Sequence, residues 1–239
     1  EPLRLWIGML AFVGVGSWFH HVVMFRRTGA KYVYRVARIV PRGPDGFDLV
    51  IVPADQRMSY APGKFVFLTI ADGKRWSREM HPFSLSSSPV TREVRLSIRE
   101  AGEFTRRLKQ LQPGHPVQIY GPYGGFTLLA TVSFERIVCI GSGIGIAPFL
   151  GMLQFEHTDN DERPITAFYV VHDRAHAAYH DELEGLAHAI DRVTYRLWVS
   201  AGSGRRSVGV VIADVDVGIT AFMICGSSEF NEEFSAQLR

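Results

Sequence analysis

The 239-residue chain is 46% hydrophobic and 21% charged with a net charge of +2, a composition that supports two modest domains with real cores and excludes a disordered or low-complexity chain. Its basic residues are scattered among almost as many acidic ones, which excludes a nucleic-acid footprint. Cys139 and Cys225 lie far apart, each in or just after an apolar run, so neither a disulfide framework nor a metal site is expected and a reducing compartment is permitted.

Leu5 to Phe25 contains no Asp, Glu, Lys or Arg. At about 1.5 Å per residue this run spans about 31 Å, close to the roughly 30 Å hydrocarbon core of a bilayer. Residues 1–30 are therefore predicted to form a transmembrane helix and a linker. Arg26, Arg27 and Lys31 place the C-terminal side of this span in the cytoplasm, and no small-residue cleavage site suits a signal peptide. A lone first span in that orientation is unusual and Glu1 is no initiator, so the expectation is the last span of a larger membrane protein. His20 and His21 admit two readings, haem ligands or imidazoles reaching the interface, and their place near the cytoplasmic end favours the second.

Residues 31–127 change texture. Tyr32 to Val40, Phe47 to Val52, Phe65 to Ile70 and Val94 to Ile98 are short apolar or alternating runs separated by turn chemistry such as P-R-G-P-D-G, which predicts a closed antiparallel barrel. One helical pattern, Phe104 to Leu111, starts after Gly102 and stops before Pro113; its start is a candidate anion site. His81 to Pro89, H-P-F-S-L-S-S-S-P, is too rigid and too polar for an ordinary strand. Its Phe83 beside Ser84 offers a flavin a stacking face and a hydrogen bond, although a plain serine-rich loop is the alternative. Gly121, Tyr123 and Gly124 belong to a second unusual segment, G-P-Y-G-G-F.

Residues 128–239 switch to alternating strands and helices, with strands at Ile137 to Ile140, Ile165 to Val171, Val193 to Val199 and Ala221 to Ile224 and helices at Ala177 to Ile190 and Asn231 to Leu238. This alternation predicts a parallel sheet. After its first strand comes G-S-G-I-G-I-A-P, then a helical run from Phe149 to Phe155. Gly141, Gly143 and Gly145 clear the backbone for a pyrophosphate, the helix start offers unpaired N–H groups, and Pro148 suits the first turn. Ile146 breaks the G-x-G-x-x-G spacing, so a tight turn with no ligand is the competing reading. Gly141, His172, Ser200 and Cys225 all fall at the carboxyl ends of strands, where such sheets bind ligands, and together they point to a nicotinamide site. His157, His176, His180 and His188 lack ligand spacing and read as solvated, and Cys139 as core.

The order H-P-F-S, S-I-R-E-A-G-E-F-T-R-R-L, G-P-Y-G, G-S-G-I-G-I-A-P-F and C-G resembles the dehydrogenase half of the NADPH oxidase and ferric reductase family, within the wider ferredoxin–NADP reductase group, over about residues 31–239. The resemblance implies FAD binding at residues 31–127 and NAD(P)H binding at residues 128–239. It implies that Phe83, after His81 and Pro82, stacks on the isoalloxazine with the Ser84 hydroxyl facing N5. His81 stands where many relatives carry arginine. Arg99, with Gly102, Phe104 and Thr105, would hold the FAD pyrophosphate, and Gly121 to Gly125 would close over the flavin side. Cys225 and Gly226 would lie beside the nicotinamide and help place its C4, the alternative being a small buried residue at a strand end. Relatives continue into one more strand and a final aromatic, so a truncated C-terminus is expected. The whole resembles a mixed fold in a cell-membrane protein whose FAD and NAD(P)H domains are cytoplasmic and whose electrons pass through haem in upstream helices to dioxygen or ferric iron. Two rivals are a reductase feeding a ferredoxin or oxygenase, and a non-catalytic nucleotide-sensing module.

Coenzyme choice rests on conflicting signs. Asp173 suits the ribose hydroxyls of NADH, and Arg174 the extra phosphate of NADPH. His172 occupies the position where NADPH-using relatives usually place arginine, and Ala201 follows Ser200 where many carry another. Arg205 and Arg206 come shortly after and either reach the phosphate or form a solvated turn. Because arginine binds phosphate through bidentate, charge-assisted bonds, NADPH is the expected coenzyme, with NADH the alternative.

Overall fold

The computed structural model describes Trp6 and residues 31–73, 75–156, 161–201 and 215–238. Most of Leu5 to Phe25 thus lies outside the described residues, as do Arg205, Arg206 and His157. Among the described residues no helix is long and apolar enough to cross a membrane. Tyr32–Arg239 forms one compact unit.

The first half of that unit is an antiparallel sheet of β1 (Lys31–Arg42), β2 (Gly46–Pro53), β3 (Phe65–Asp72), β4 (Arg75–Trp76), β5 (His81–Ser84), β6 (Val94–Arg99) and β7 (Pro116–Tyr123), with α1 (Glu103–Lys109) between β6 and β7. Its order is β4-β3-β7-β1-β2-β6, with β5 also on β3. The predicted P-R-G-P-D-G turn joins β1 to β2, pairing Arg42 with Gly46, and Gly43 supplies the positive φ of 61° that it requires. Alternate side chains enter one core, where Tyr34, Phe47, Leu49, Ile51, Leu68, Leu96 and Ile98 pack beneath Phe104 and Leu108 of α1.

Two expectations need correction here. His81–Ser84 is a strand after all, paired antiparallel with β3 from Leu68↔His81 to Phe65↔Ser84. Pro82 is tolerated because β5 is an edge strand, where a missing donor breaks no ladder. The barrel, moreover, is not closed. Between the segment after β5 and β6 no ladder forms among the described residues: an isolated bridge Leu85↔Leu96 and the bond from Ser86 N–H to the Arg95 carbonyl are followed by side-chain bonds of Ser86 and Ser87.

The second half is a four-stranded parallel sheet in the order β10-β9-β8-β11, from β8 (Arg136–Ser142), β9 (Ile165–Val171), β10 (Val193–Val199) and β11 (Thr220–Cys225). Helix α2 (Ala147–Glu156) follows β8, α3 (His180–Ala189) precedes β10, and α4 (Ser228–Gln237) follows β11. Period-two alternation feeds both faces. Ile137 and Cys139 pack with Phe149, Leu153 and Leu183 of α2 and α3, whereas Val138, Ile140, Phe168 and Val170 pack with Phe230 and Phe234 of α4. Burial pushes the Cys139 thiol up, consistent with a core role. Helix α3 starts three residues later than its pattern suggests, because the chain before it is spent on a 3-10 turn capped by the Asp173 carboxylate.

Candidate active site

The chain runs from β8 through β9 to β10 on one side and then crosses back to β11 on the other side of β8, so the sheet has a switch point at the carboxyl ends of β8 and β11, where open sheets form crevices. There lies a cleft of about 620 Å³. That volume is in the roughly 300–1,000 Å³ range of cofactor sites. One wall is His81, Pro82, Phe83, Ser84, Ser97, Ile98, Arg99, Ala101 and Thr105, all from the first half. The other is Ser142, Gly143, Ile144, Gly145, Ala147, Cys225, Gly226 and Ser227.

On the first wall the aromatic rings are held from behind. Phe104 is 4% exposed and supports both Phe83, whose ring lies nearly parallel at 6.3 Å, and His81 at 4.3 Å. His81 Nε2 is also 2.9 Å from Glu79 Oε1. Ser84 and Arg99 line the cleft with no side-chain hydrogen bond or ion pair among the described residues. The turn into α1 is fixed by Thr105, whose Oγ1 accepts from Ala101 N–H at 3.0 Å and Gly102 N–H at 3.1 Å and donates to the Gly102 carbonyl at 2.9 Å.

On the second wall the glycines act for different reasons. A Cβ on Gly145 would stand 2.2 Å from the Cys225 carbonyl oxygen, so only glycine lets the turn lie against the end of β11. Gly143 has a φ of +55° and nothing within 4 Å of a Cβ position, so its backbone faces open cleft. Gly141 is buried against Ile146, and Pro148 occupies the first turn of α2 away from the cleft. Burial raises the Cys225 thiol above the usual range, so it meets a ligand as a neutral, polarisable side chain.

Several expected residues stand elsewhere. Gly121, Tyr123 and Gly124 lie at the end of β7, where Tyr123 packs against Phe65 and Phe67 and Lys64 Nζ donates to the Gly124 carbonyl at 2.9 Å. They do not line the cleft. Pro122 instead borders a second cavity of about 650 Å³ near the far end of α2, among Tyr60, Leu128, Leu129 and Phe155. That cavity is mostly apolar, and its Arg163 and Asp161 are spent on each other. His172, Arg174 and Ser200 sit at the ends of β9 and β10, further along the sheet edge than the cleft. Asp173 is turned toward His176: its Oδ1 is 2.7 Å from His176 Nδ1 and accepts from His176 N–H at 3.2 Å. This bond lowers the Asp173 carboxyl and raises the His176 imidazole, which is therefore not a merely solvated histidine. His180 Nδ1 is likewise 3.0 Å from the Tyr195 hydroxyl, whereas His188 is exposed. Ser97, Ser142, Ile144, Ala147 and Ser227 carry no chemistry that marks them in the sequence as site residues. Of these only Ser227 has a local signal, as the N-cap of α4 accepting from Phe230 N–H at 3.2 Å.

A flat aromatic wall, a partner-free guanidinium and glycine backbone facing open space across one crevice fit a flavin on the first half and a dinucleotide on the second. Fold and site together define an oxidoreductase that binds both nucleotides. Residues 35–125 match the FAD-binding domain family and residues 139–235 the oxidoreductase NAD-binding domain family. NADPH oxidase 1 of Mus musculus is 26% identical over 98% of this chain and 42% of its own length. The reductase component of propane 2-monooxygenase from Mycolicibacterium goodii is 27% identical over 75% of this chain and 51% of its own. The crystal structure of a ferredoxin NADP+ reductase from Neisseria gonorrhoeae with bound FAD and NADP superimposes with a TM-score of 0.74 over 87% of this chain and 90% of that one, at 15% identity. The chain belongs to the FAD- and NAD-binding oxidoreductases of ferredoxin–NADP reductase-like fold and is homologous to the dehydrogenase domains of NADPH oxidases. It spans about half the length of the curated relatives it matches, 51% and 42% for these two.

Phe83→Ala and Ser84→Ala are expected to separate binding from chemistry. Loss of the Phe83 ring removes a stacking face of about 1 kcal/mol or more and weakens FAD retention. Ser84→Ala is expected to keep FAD but slow flavin reduction, since it removes the hydroxyl that the family resemblance assigns to the reacting edge. Flavin content after gel filtration and anaerobic reduction rates check this; two variants that match wild type in both would remove β5 from the site.

Proposed function

We propose that this chain takes hydride from NAD(P)H and passes electrons singly onward, as the dehydrogenase part of a membrane protein. The observation that carries the reading is the shared cleft, with Phe83, Ser84 and Arg99 on one wall and Gly143, Gly145 and Cys225 on the other. Flavin, when bound, supplies the conversion of a two-electron hydride into one-electron steps. The chain's own task is placement. Phe83 and Phe104 hold the first wall flat, Ser84 offers a hydrogen bond at its edge, Arg99 is there to neutralise phosphate, and the Gly145–Cys225 contact shapes the second wall. Thr105 and Gly102 shape the turn that carries the phosphate end.

Membrane anchoring through Leu5 to Phe25, with both nucleotide-binding halves cytoplasmic, is supported by that segment's lack of charge and by the Arg26, Arg27 and Lys31 cluster. The similarity to mouse NADPH oxidase 1 takes in 98% of the chain and so includes most of residues 1–30, whereas that to the monooxygenase reductase component takes in 75%. That breadth supports, as our reading, an acceptor in haem-bearing membrane helices leading to ferric iron or dioxygen. Delivery to a separate oxygenase is the second reading, favoured by the reductase relative. Turnover with NAD(P)H and a ferric chelate, with and without phospholipid vesicles, tests this: FAD-dependent reduction by vesicle-bound protein is expected, and protein that leaves vesicles unbound while reducing a ferredoxin would favour the second reading.

NADPH is the proposed coenzyme. With Asp173 held by His176, its claim on the ribose is weakened and Arg174, exposed beside it, has the better access to a 2′-phosphate. The expected result is a higher kcat/KM for NADPH than for NADH, and a ratio that collapses at least tenfold, about 1.4 kcal/mol, in an Arg174→Ala, Arg205→Ala, Arg206→Ala triple variant. A wild-type preference for NADH, or an unchanged ratio in the variant, would exclude these arginines.

A further inference from the structure

Behind the cleft a buried polar cluster joins the two halves. Asp48 on β2 is 0% exposed. Its Oδ1 accepts from the Ser97 hydroxyl at 2.7 Å and the Tyr179 hydroxyl at 2.8 Å, and its Oδ2 from Arg42 Nε at 2.7 Å, with the Arg95 guanidinium at 3.8 Å. Tyr179 precedes α3 in the second half and is 2% exposed, with the Arg42 guanidinium 5.4 Å over its ring. Beside this bond, Arg95 on β6 grips Glu182 of α3 through two nitrogens, at 2.9 and 2.7 Å. Gln154 of α2 donates to Glu182 at 2.7 Å and accepts from Ser88 N–H at 3.0 Å.

Packing alone does not call for this arrangement. A carboxylate removed wholly from water is costly unless fully paired, and apolar side chains of similar volume hold two surfaces together at least as well. What a carboxylate with three directed hydrogen-bond partners and a nearby guanidinium adds is a single register between the surfaces it joins. That register is set close to the cleft. Ser97, one bond from Asp48, lines the cleft itself, and Tyr179 borders a small hollow with Arg99 and Ile144, one from each cleft wall. Burial, and next the Asp48 charge, push the Tyr179 hydroxyl up, so it remains a protonated donor.

We propose that Asp48 and Tyr179 are a positioning pair that fixes the spacing of the two cleft walls and thereby the rate of hydride transfer between them. Neither residue lines the cleft, and the proposal rests on the two-wall reading given above. Tyr179→Phe deletes one hydroxyl and leaves the ring in its core. Anaerobic stopped-flow reduction of the FAD-loaded protein, over a range of NADPH concentrations and with NADPH deuterated at the transferred position, is the measurement. Tyr179→Phe is expected to keep wild-type FAD content and half-saturation, to lose about tenfold or more in limiting rate, and to show a larger isotope effect as transfer becomes slower. Glu182→Gln, size-preserving and only partly buried, is expected to move the same quantities in the same direction by less, and carries the test if Tyr179→Phe does not fold. An unchanged limiting rate overturns the positioning pair. So does a slower rate that comes with equal loss of FAD or a raised half-saturation, since that is the signature of general loosening. Wild type that neither NADPH nor NADH reduces overturns the functional reading itself, and the positioning role with it.

Discussion

Gly145→Val is expected to abolish flavin reduction by NAD(P)H while the protein still carries FAD. The Cβ position at 145 lies 2.2 Å from the Cys225 carbonyl oxygen, 2.6 Å from its carbon and 2.9 Å from Gly226 Cα. All three are backbone atoms at a strand end, which cannot rotate aside as a side-chain tip can. The turn after β8 must then part from β11, and the second wall loses its shape. The first wall belongs to another sheet and is left standing, so FAD content is the internal control. A fall of at least about 100-fold in limiting reduction rate is expected, with destabilisation of roughly 1–3 kcal/mol from overpacking. Gly143→Val should act by another route. A β-branched residue is strained at a φ of +55°, and its branches would enter open cleft where a dinucleotide must approach. Normal reduction in both variants would mean that this turn only redirects the chain.

Arg99→Ala is expected to release FAD. Arg99 ends β6, lines the cleft, and has no side-chain partner among the described residues, so its guanidinium is available to an anion. Charge-assisted hydrogen bonds are worth about 1.5–3 kcal/mol, which corresponds to roughly 10- to 150-fold in FAD affinity. Arg99→Lys should fall between, keeping the charge but not the planar fork. Titration of apoprotein with FAD reads the effect, and three identical affinities would show that the phosphates are held elsewhere.

How far the sequence reached depends on what kind of signal each residue gives. β9 coincides with the predicted Ile165 to Val171 because a strand buried on both faces reads as an uninterrupted apolar run, whereas β10, at the sheet edge, coincides with Val193 to Val199 through alternation that exposes Thr194 and Arg196. β5 escaped detection for the opposite reason. H-P-F-S has no β pattern of its own, and β3 supplies the ladder that makes it a strand. β7 was hidden by Pro116 and Pro122 at its ends. The same division holds in the cleft. Phe83, Ser84, Gly143, Gly145 and Cys225 stood out because their residue types and places carry chemistry, Arg99 only through the family resemblance, and the fold brings all six to one crevice. Ser142, Ile144 and Ala147 line it as neighbours of those glycines in one turn, whereas Ser97 lines it only through topology, which its residue type does not signal. Conversely, His172 and Ser200 do end strands as expected. β9 and β10, however, lie on the side of β8 away from β11, and the switch point is on the other side.

Anaerobic mixing of FAD-loaded protein with NADPH, monitored by flavin absorbance, tests most directly whether the two walls form one hydride-transfer site. The expected result is loss of the oxidised-flavin absorbance, slowed by deuterium at the transferred position and further slowed by Ser84→Ala. Flavin that stays oxidised under saturating NADPH and under saturating NADH, in protein with full FAD content, would contradict it.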